Sequence, residues 1–313
     1  MQTTNLITRI SRKIKRTIRD RSRLRLRKSV AFSLPSPPAN KDLEFSPHIL
    51  MSHQDLPLAV SSAKLMNLAV GDALPWVFHD DGSLNSKDIS ILGVHFPGCR
   101  LIERRESDSH YQAIQGQYPH LFRSRKKFVL LLKLADIHVY SDKQRILYLD
   151  SDVILFKKPE FLLAKLQEQN GASYFNRDID TAYITSLENL QKLVGTAPPA
   201  KINSGLFVLN RDDIALDKIE TVLGQLDYSL RSDWSAYGHL IEQTCVAVLS
   251  GKSPGGAFHL PAEYDVAFDK RIDNAVCKHY VGLIRHQYEL EGLNHLIQKG
   301  NFVERWRDFA NPR

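Results

Sequence analysis

At 313 residues and 35.7 kDa, with 43% hydrophobic and 25% charged residues, the chain can bury one large core or two small ones. No apolar run approaches the ~18 residues of a spanning helix, so none is expected. The net charge of +7 suggests a nucleic-acid binder until it is located: residues 1–30 hold eleven Lys and Arg against one acid, Asp20, a charge of +10, so the rest sums to −3. The globular part is mildly acidic, and no nucleic-acid partner is expected. Cys99, Cys245 and Cys277 are few, odd in number and widely spaced, which argues against a disulfide framework or a structural zinc site. The N-terminus has no apolar stretch of the kind a secretory signal needs. A cytoplasmic location follows as the expectation.

In chain order, residues 1–32 form a basic tail. Ile7, Ile10, Ile14 and Ile18 recur at helical spacing among Arg9, Arg12, Lys13, Lys15, Arg16 and Arg19. This fits a helix lying on an anionic membrane surface, with peripheral contact through residues 1–30. It equally fits a solvated tail that orders on contact, and a transit peptide is a third option. Residues 33–44 read as a Pro-rich, semi-stiff linker. A single domain is expected from 45 to 313, alternating short apolar runs with helical stretches in the α/β manner.

Within that domain, residues 75–79 (Pro-Trp-Val-Phe-His) predict a strand stopped by the turn Asp80-Asp81-Gly82-Ser83. Residues 126–137 predict a helix with a leucine-rich face that carries Lys133. Two apolar runs, 145–149 and 153–156, flank Asp150-Ser151-Asp152. Residues 202–210 predict a further strand beginning Ile-Asn203-Ser204-Gly205, and 232–249 a helix holding Glu242 and Gln243.

Asp150 and Asp152 interrupt what would otherwise be one continuous buried strand. In extended chain, residues two apart face the same side, so both carboxylates can address one point. Like charges held together and away from water are costly, and a divalent cation between them relieves both problems. An ordinary Asp-x-Asp surface turn is the bland alternative, and the apolar flanks argue against it.

Residues 148–155 (Tyr-Leu-Asp-Ser-Asp-Val-Ile-Leu) closely resemble the D-x-D segment of GT-A glycosyltransferases, especially family 8, which includes glycogenin and lipopolysaccharide galactosyltransferases. Three later segments match in the family's order. Residues 202–210 look like its F-N-S-G strand, Glu242-Gln243 resembles its D-Q pair, and His279-Tyr-Val-Gly282 is similar to its H-F-x-G motif. The resemblance implies a GT-A (Rossmann-like) domain, a mixed twisted sheet flanked by helices. It implies transfer of a glycosyl group from a nucleotide diphosphate sugar, a UDP-sugar first, to a hydroxyl acceptor with retention of configuration.

It also implies that Asp150, Asp152 and His279 bind manganese, or else magnesium. The mixed oxygen and imidazole set favours the former. Donor contacts fall by resemblance on Lys133, Asp150, Ser151, Asn203, Ser204, Gly205, Gly282 and Arg285. Arg285 stands where the family has lysine, and His286-Gln287 replaces its Pro-Trp. Gln243 falls near the anomeric carbon and Glu242 on the sugar hydroxyls, one methylene longer than the family's Asp.

Asp80 and Asp81 resemble instead the D-D-G-S of inverting family 2, where an acid binds base or ribose. An inverting outcome is therefore the alternative. Of other classes, a nucleotidyltransferase needs a Gly-rich loop near the first strand, and residues 48–60 contain no glycine. A non-catalytic membrane or nucleic-acid adaptor would act through the tail. Acceptor specificity is expected in residues 100–125 and 251–270.

Overall fold

The computed structural model describes residues 34–229, 238–266, 272–282, 284–299 and 302–311, together with residues 13, 14, 16–18, 20, 21, 24–26 and 28 of the tail. The strands are β1 (Phe45–Met51), β2 (Val77–Asp80), β3 (Arg100–Ile102), β4 (Arg145–Leu149), β5 (Val153–Leu155), β6 (Ser173–Arg177), β7 (Ile202–Asn210), β8 (Ala257–His259), β9 (Tyr264–Asp265) and β10 (Cys277–His279). The helices are α1 (Leu56–Val70), α2 (Ser86–His95), α3 (Arg104–Ala113), α4 (Pro119–Lys127), α5 (Leu132–Tyr140), α6 (Glu160–Leu166), α7 (Leu187–Val194), α8 (Leu216–Ser229), α9 (Ile241–Gly251), α10 (Asn294–Lys299) and α11 (Phe302–Ala310).

The large sheet has the order β3-β2-β1-β4-β7-β6-β8. Strands β3, β2, β1 and β4 are parallel, β7 is antiparallel to both β4 and β6, and β8 is parallel to β6. Alternation along the central strands divides the core in two. Leu147, Leu149, Leu206 and Val208 face α1 and the C-terminal segment, while Ile146, Tyr148, Phe207 and Leu209 face α5, α8 and α9. Burial on both faces explains the apolar runs Ile49 to Met51 in β1, Ile146 to Leu149 in β4 and Leu206 to Leu209 in β7, while each strand also buries polar residues such as His48, Arg145 and Asn203. A small second sheet, β5-β10-β9, stands beside the carboxyl end of β4.

Several boundaries follow from local chemistry. Helix α1 starts with Pro57 in its first turn and stops at Gly71, whose φ of 81° a side chain would strain. Helix α2 opens with a full capping box between Asn85 and Asp88. The helix expected over 126–137 is broken: α4 ends at Lys127, Phe128 is extended, residues 129–131 make a 3₁₀ turn, and α5 begins at Leu132. The buried residues Leu131, Leu132, Leu134 and Ala135 all lie at the end of that turn or in α5, while Lys126, Lys127 and Val129 ahead of them are exposed, so the apolar pattern belongs to α5 and the helix is two pieces.

The expected continuous strand through Asp150 and Asp152 is also two pieces. The Asp-Ser-Asp segment turns from the large sheet into the small one, with Val153 N–H donating to Asp150 O at 3.2 Å. Of the helix expected at 232–249, residues 232–237 lie outside the described residues, and the regular helix starts at Ile241.

Residues 34–44 do not hang free as a spacer. Ser36 N–H donates to His95 O, Asn40 N–H donates to Ala73 O, and Trp306 Nε1 and Lys64 Nζ both donate to Leu34 O. In the tail, Ile7 and Ile10 lie outside the described residues. Ile14 is exposed, while Leu26 is buried in the same core as α1. Among the described residues no helix is long and apolar enough to cross a membrane.

Candidate active site

The carboxyl ends of β1 and β4 and the first residues of β7 surround a cavity of about 460 Å³, within the range of small-molecule sites. At its floor, Asp150, Asp152 and His279 each offer a ligand atom within 4.8 Å of the others. The turn at the end of β4 supplies the two acids, and β10, paired with β5, supplies the histidine opposite Val153. His279 Nε2 lies 3.1 Å from Asp152 Oδ1 and 3.7 Å from Asp150 Oδ2. Two adjacent ligands of an octahedral ion at about 2.1 Å lie about 3 Å apart, so these donors fit a divalent cation. The carboxylates converge through the turn, not through strand alternation.

Gly205 makes this packing possible. A Cβ built there would sit 2.1 Å from His279 Cε1 and 2.3 Å from Nδ1. The glycine therefore makes room for the imidazole, besides lining the cavity where the resemblance made it a donor contact.

The two acids are not left for a metal alone to neutralise. Arg285 Nε donates to Asp152 Oδ2 at 2.6 Å, and Arg285 also lies 3.7 Å from Asp55 at the start of α1. Burial would raise the Asp152 pKa. The Arg285 charge, with His279, outweighs it and holds the carboxyl well below its ordinary range. Asp152 in turn raises the Arg285 pKa.

Asp150 accepts from Tyr148 Oη at 2.7 Å and lies 3.6 Å from Lys133 Nζ. Lys133 is 3% exposed and contacts four oxygens: Asp150 Oδ2, Glu242 Oε2 at 3.2 Å, and Ser204 O and Oγ at 3.1 Å each. Burial opposes its charge, but Asp150 and Glu242 prevail and raise its pKa. Its ammonium is a brace between the Asp150–Asp152 turn and α9, and its three hydrogens are already engaged. Five carboxylates (Asp55, Asp81, Asp150, Asp152 and Glu242) line the cavity against two permanent cations, Lys133 and Arg285, leaving it with room for positive charge.

Glu242 and Gln243 stand in the first turn of α9. Burial first, then Asp150, raises the Glu242 pKa to about 7, against the lowering effect of Lys133 and Ser204. Its Oε2 accepts from Ser204 Oγ at 3.0 Å, and its buried Oε1 has no protein partner. Gln243 accepts from Ser204 N–H at 3.2 Å and donates to Ala182 O at 3.0 Å, so its amide is held at both ends.

Of the sequence-predicted residues, Lys133, Asp150, Ser151, Asp152, Asn203, Ser204, Gly205, Glu242, Gln243, His279, Gly282 and Arg285 all line this cavity, as does Asp81. Asp80 does not. Its carboxylate closes the turn by accepting from Gly82 and Leu84 N–H. Asp55 and Tyr148 were not singled out as site residues. Tyr148 had a signal, since it stands in β4 two positions before Asp150, whereas Asp55 joins Arg285 only through folding.

No known protein family matches the sequence, and no curated protein matches it. Solved structures do. Mouse xyloside xylosyltransferase 1 in its apo form is 14% identical, with a TM-score of 0.50 over 77% of this chain and 98% of that one. An active-site mutant of LgtC is 13% identical, with a TM-score of 0.50 over 76% of this chain and 87% of that one. The fold is the GT-A fold of glycosyltransferases, a mixed sheet flanked by helices, as the resemblance to family 8 implied.

Proposed function

We propose that the protein is a metal-dependent glycosyltransferase moving a sugar, a hexose first, from a UDP-sugar to a hydroxyl acceptor. The observation that supports it most is the Asp150–Asp152–His279 cluster at the strand ends of a GT-A fold, with Arg285 beside it. Manganese suits the imidazole better than magnesium does. A bound divalent ion supplies Lewis acidity toward the departing diphosphate. Arg285, with 28% of its side chain exposed, adds a planar cation suited to phosphate. Ser204 and Glu242 line the cavity and would meet the donor sugar. Lys133 and Gln243 hold them in place, so that positioning and charge supply most of the rate. Asp152→Asn is expected to abolish Mn²⁺-dependent binding of UDP by calorimetry while the fold survives. Unchanged binding would refute the site.

Retention is the outcome implied by the family 8 motifs. Inversion draws support from Glu242, whose pKa near neutrality suits a general base. The anomeric coupling constant of the first-formed product decides between them. A second cavity of about 420 Å³, lined by Asp178, His259, Leu260, Tyr264 and Asp265 among others, supports an acceptor site in the expected 251–270 region. The basic tail is proposed to hold the enzyme on the cytoplasmic face of an anionic membrane. Deleting residues 1–30 should release it from phosphatidylserine vesicles and leave donor hydrolysis intact.

A further inference from the structure

Asp178 directly follows β6, and no sequence motif points to it. Its carboxylate accepts from Ile179 N–H at 2.8 Å and from Asn203 Nδ2 at 3.0 Å. That fixes which way the Asn203 amide faces. Its Oδ1 accepts from Gly205 N–H at 3.1 Å and lies 2.8 Å from His279 Nδ1. An amide oxygen cannot donate, so the 2.8 Å contact requires a proton on Nδ1. With Nδ1–H held by Asn203, Nε2 is the nitrogen left for a metal ion, which would take the place of the proton that Nε2 shares with Asp152 Oδ1 at 3.1 Å. Nε2 is the atom that faces Asp150 and Asp152.

We infer that Asp178 is a positioning residue for the metal ligand His279, acting through the Asn203 amide. Asp178 lines the second cavity and not the first, so its carboxylate does not itself reach the metal position. What it contributes is orientation: a charged acceptor pulls on Nδ2, polarises the amide and strengthens Oδ1 as an acceptor for His279. Outer partners of ligating histidines set ring orientation and tautomer in this way. Tyr148 does the same for Asp150 from the other side, where Asp178 has no contact.

The inference rests on the metal reading above, and the test separates the two. Mn²⁺ dissociation constants are measured by electron paramagnetic resonance on the full chain without nucleotide. Asp178→Ala is expected to weaken Mn²⁺ about 10-fold or more, the usual range for loss of an outer partner being about 10–100-fold. Asp178→Asn, whose amide oxygen can accept the same N–H, should recover most of the loss. In a His279→Ala background Asp178→Ala should change Mn²⁺ affinity less than about 2-fold, because the two act as one unit.

An equal loss in that background would overturn the inference, as would a Mn²⁺ constant unmoved by Asp178→Ala, whatever happens to thermal stability. If the unsubstituted protein takes up no Mn²⁺, the metal reading falls and the inference with it. If it binds Mn²⁺ and only the Asp178 results fail, the metal reading stands.

Discussion

Gly205→Ala isolates the contact on which the candidate metal site is built. The added methyl would lie 2.1 Å from His279 Cε1, 2.3 Å from Nδ1 and 2.8 Å from Nε2, far inside van der Waals contact. The backbone cannot retreat, because β7 is held between β4 and β6 and Gly205 O accepts from Asp150 N–H at 2.7 Å. The imidazole must therefore leave its place, breaking its contacts with Asn203 and Asp152. Overpacking of this kind costs about 1–3 kcal/mol. In a domain of this size that is a fall in Tm of several degrees, at about 2–4 °C per kcal/mol. Mn²⁺ affinity should drop at least about 10-fold with the loss of one ligand's geometry. Gly282→Ala is the control: it lines the same cavity, and a Cβ there meets nothing within 4 Å. Calorimetric Mn²⁺ titration and thermal unfolding of both variants provide the comparison. The reasoning is refuted if Gly205→Ala keeps both Tm and Mn²⁺ affinity at the level of Gly282→Ala.

Other perturbations follow from the charge network. Arg285→Ala leaves Asp152 buried with only His279 beside it, and breaking such a pair costs about 3–5 kcal/mol. Added Mn²⁺ should then raise the Tm of the variant more than that of the parent, and UDP should lose more affinity than uridine. Equal Mn²⁺ shifts would show that Arg285 does not compensate the metal acids. Lys133→Met should destabilise by a similar ~3 kcal/mol, and combining it with Glu242→Gln should restore part of the loss in denaturant titrations. Two opposite pH dependences are expected. Asp152, whose folded pKa is depressed, contributes stability that is present above its unfolded pKa of about 3.9 and lost as pH falls below it. Asp152→Asn should therefore flatten the acid limb of Tm against pH. Glu242, raised to about 7, contributes stability that is lost as pH climbs toward and through that value, so Glu242→Gln should gain on the parent between pH 5 and 8.

The sequence by itself determined the alternating α/β plan, strand β7 to the residue, β4, and four short segments whose order matched one fold. These are local properties. A strand buried on both faces is mostly apolar, as Ile146 to Leu149 in β4 and Leu206 to Leu209 in β7 are, and a turn that carries two acids after such a strand has few other uses. The break between α4 and α5 was hidden because Leu130, Leu131, Leu132 and Leu134 run from the 3₁₀ turn into α5, and apolar spacing leaves the same record whether the backbone is one helix or two.

Only the tertiary structure decided how the acids are satisfied. Asp152 meets Arg285 across 133 positions, Lys133 meets Glu242 across more than a hundred, and Gly205 lies under a ring from β10. Electrostatic compensation and steric room depend on distance in space, which chain spacing does not encode. The same holds for residues 34–44, which composition marks as a spacer and hydrogen bonds to α1, α2 and α11 tie to the domain. Proline content sets how stiff a segment is. What it lies against is set by the surfaces the rest of the fold presents to it.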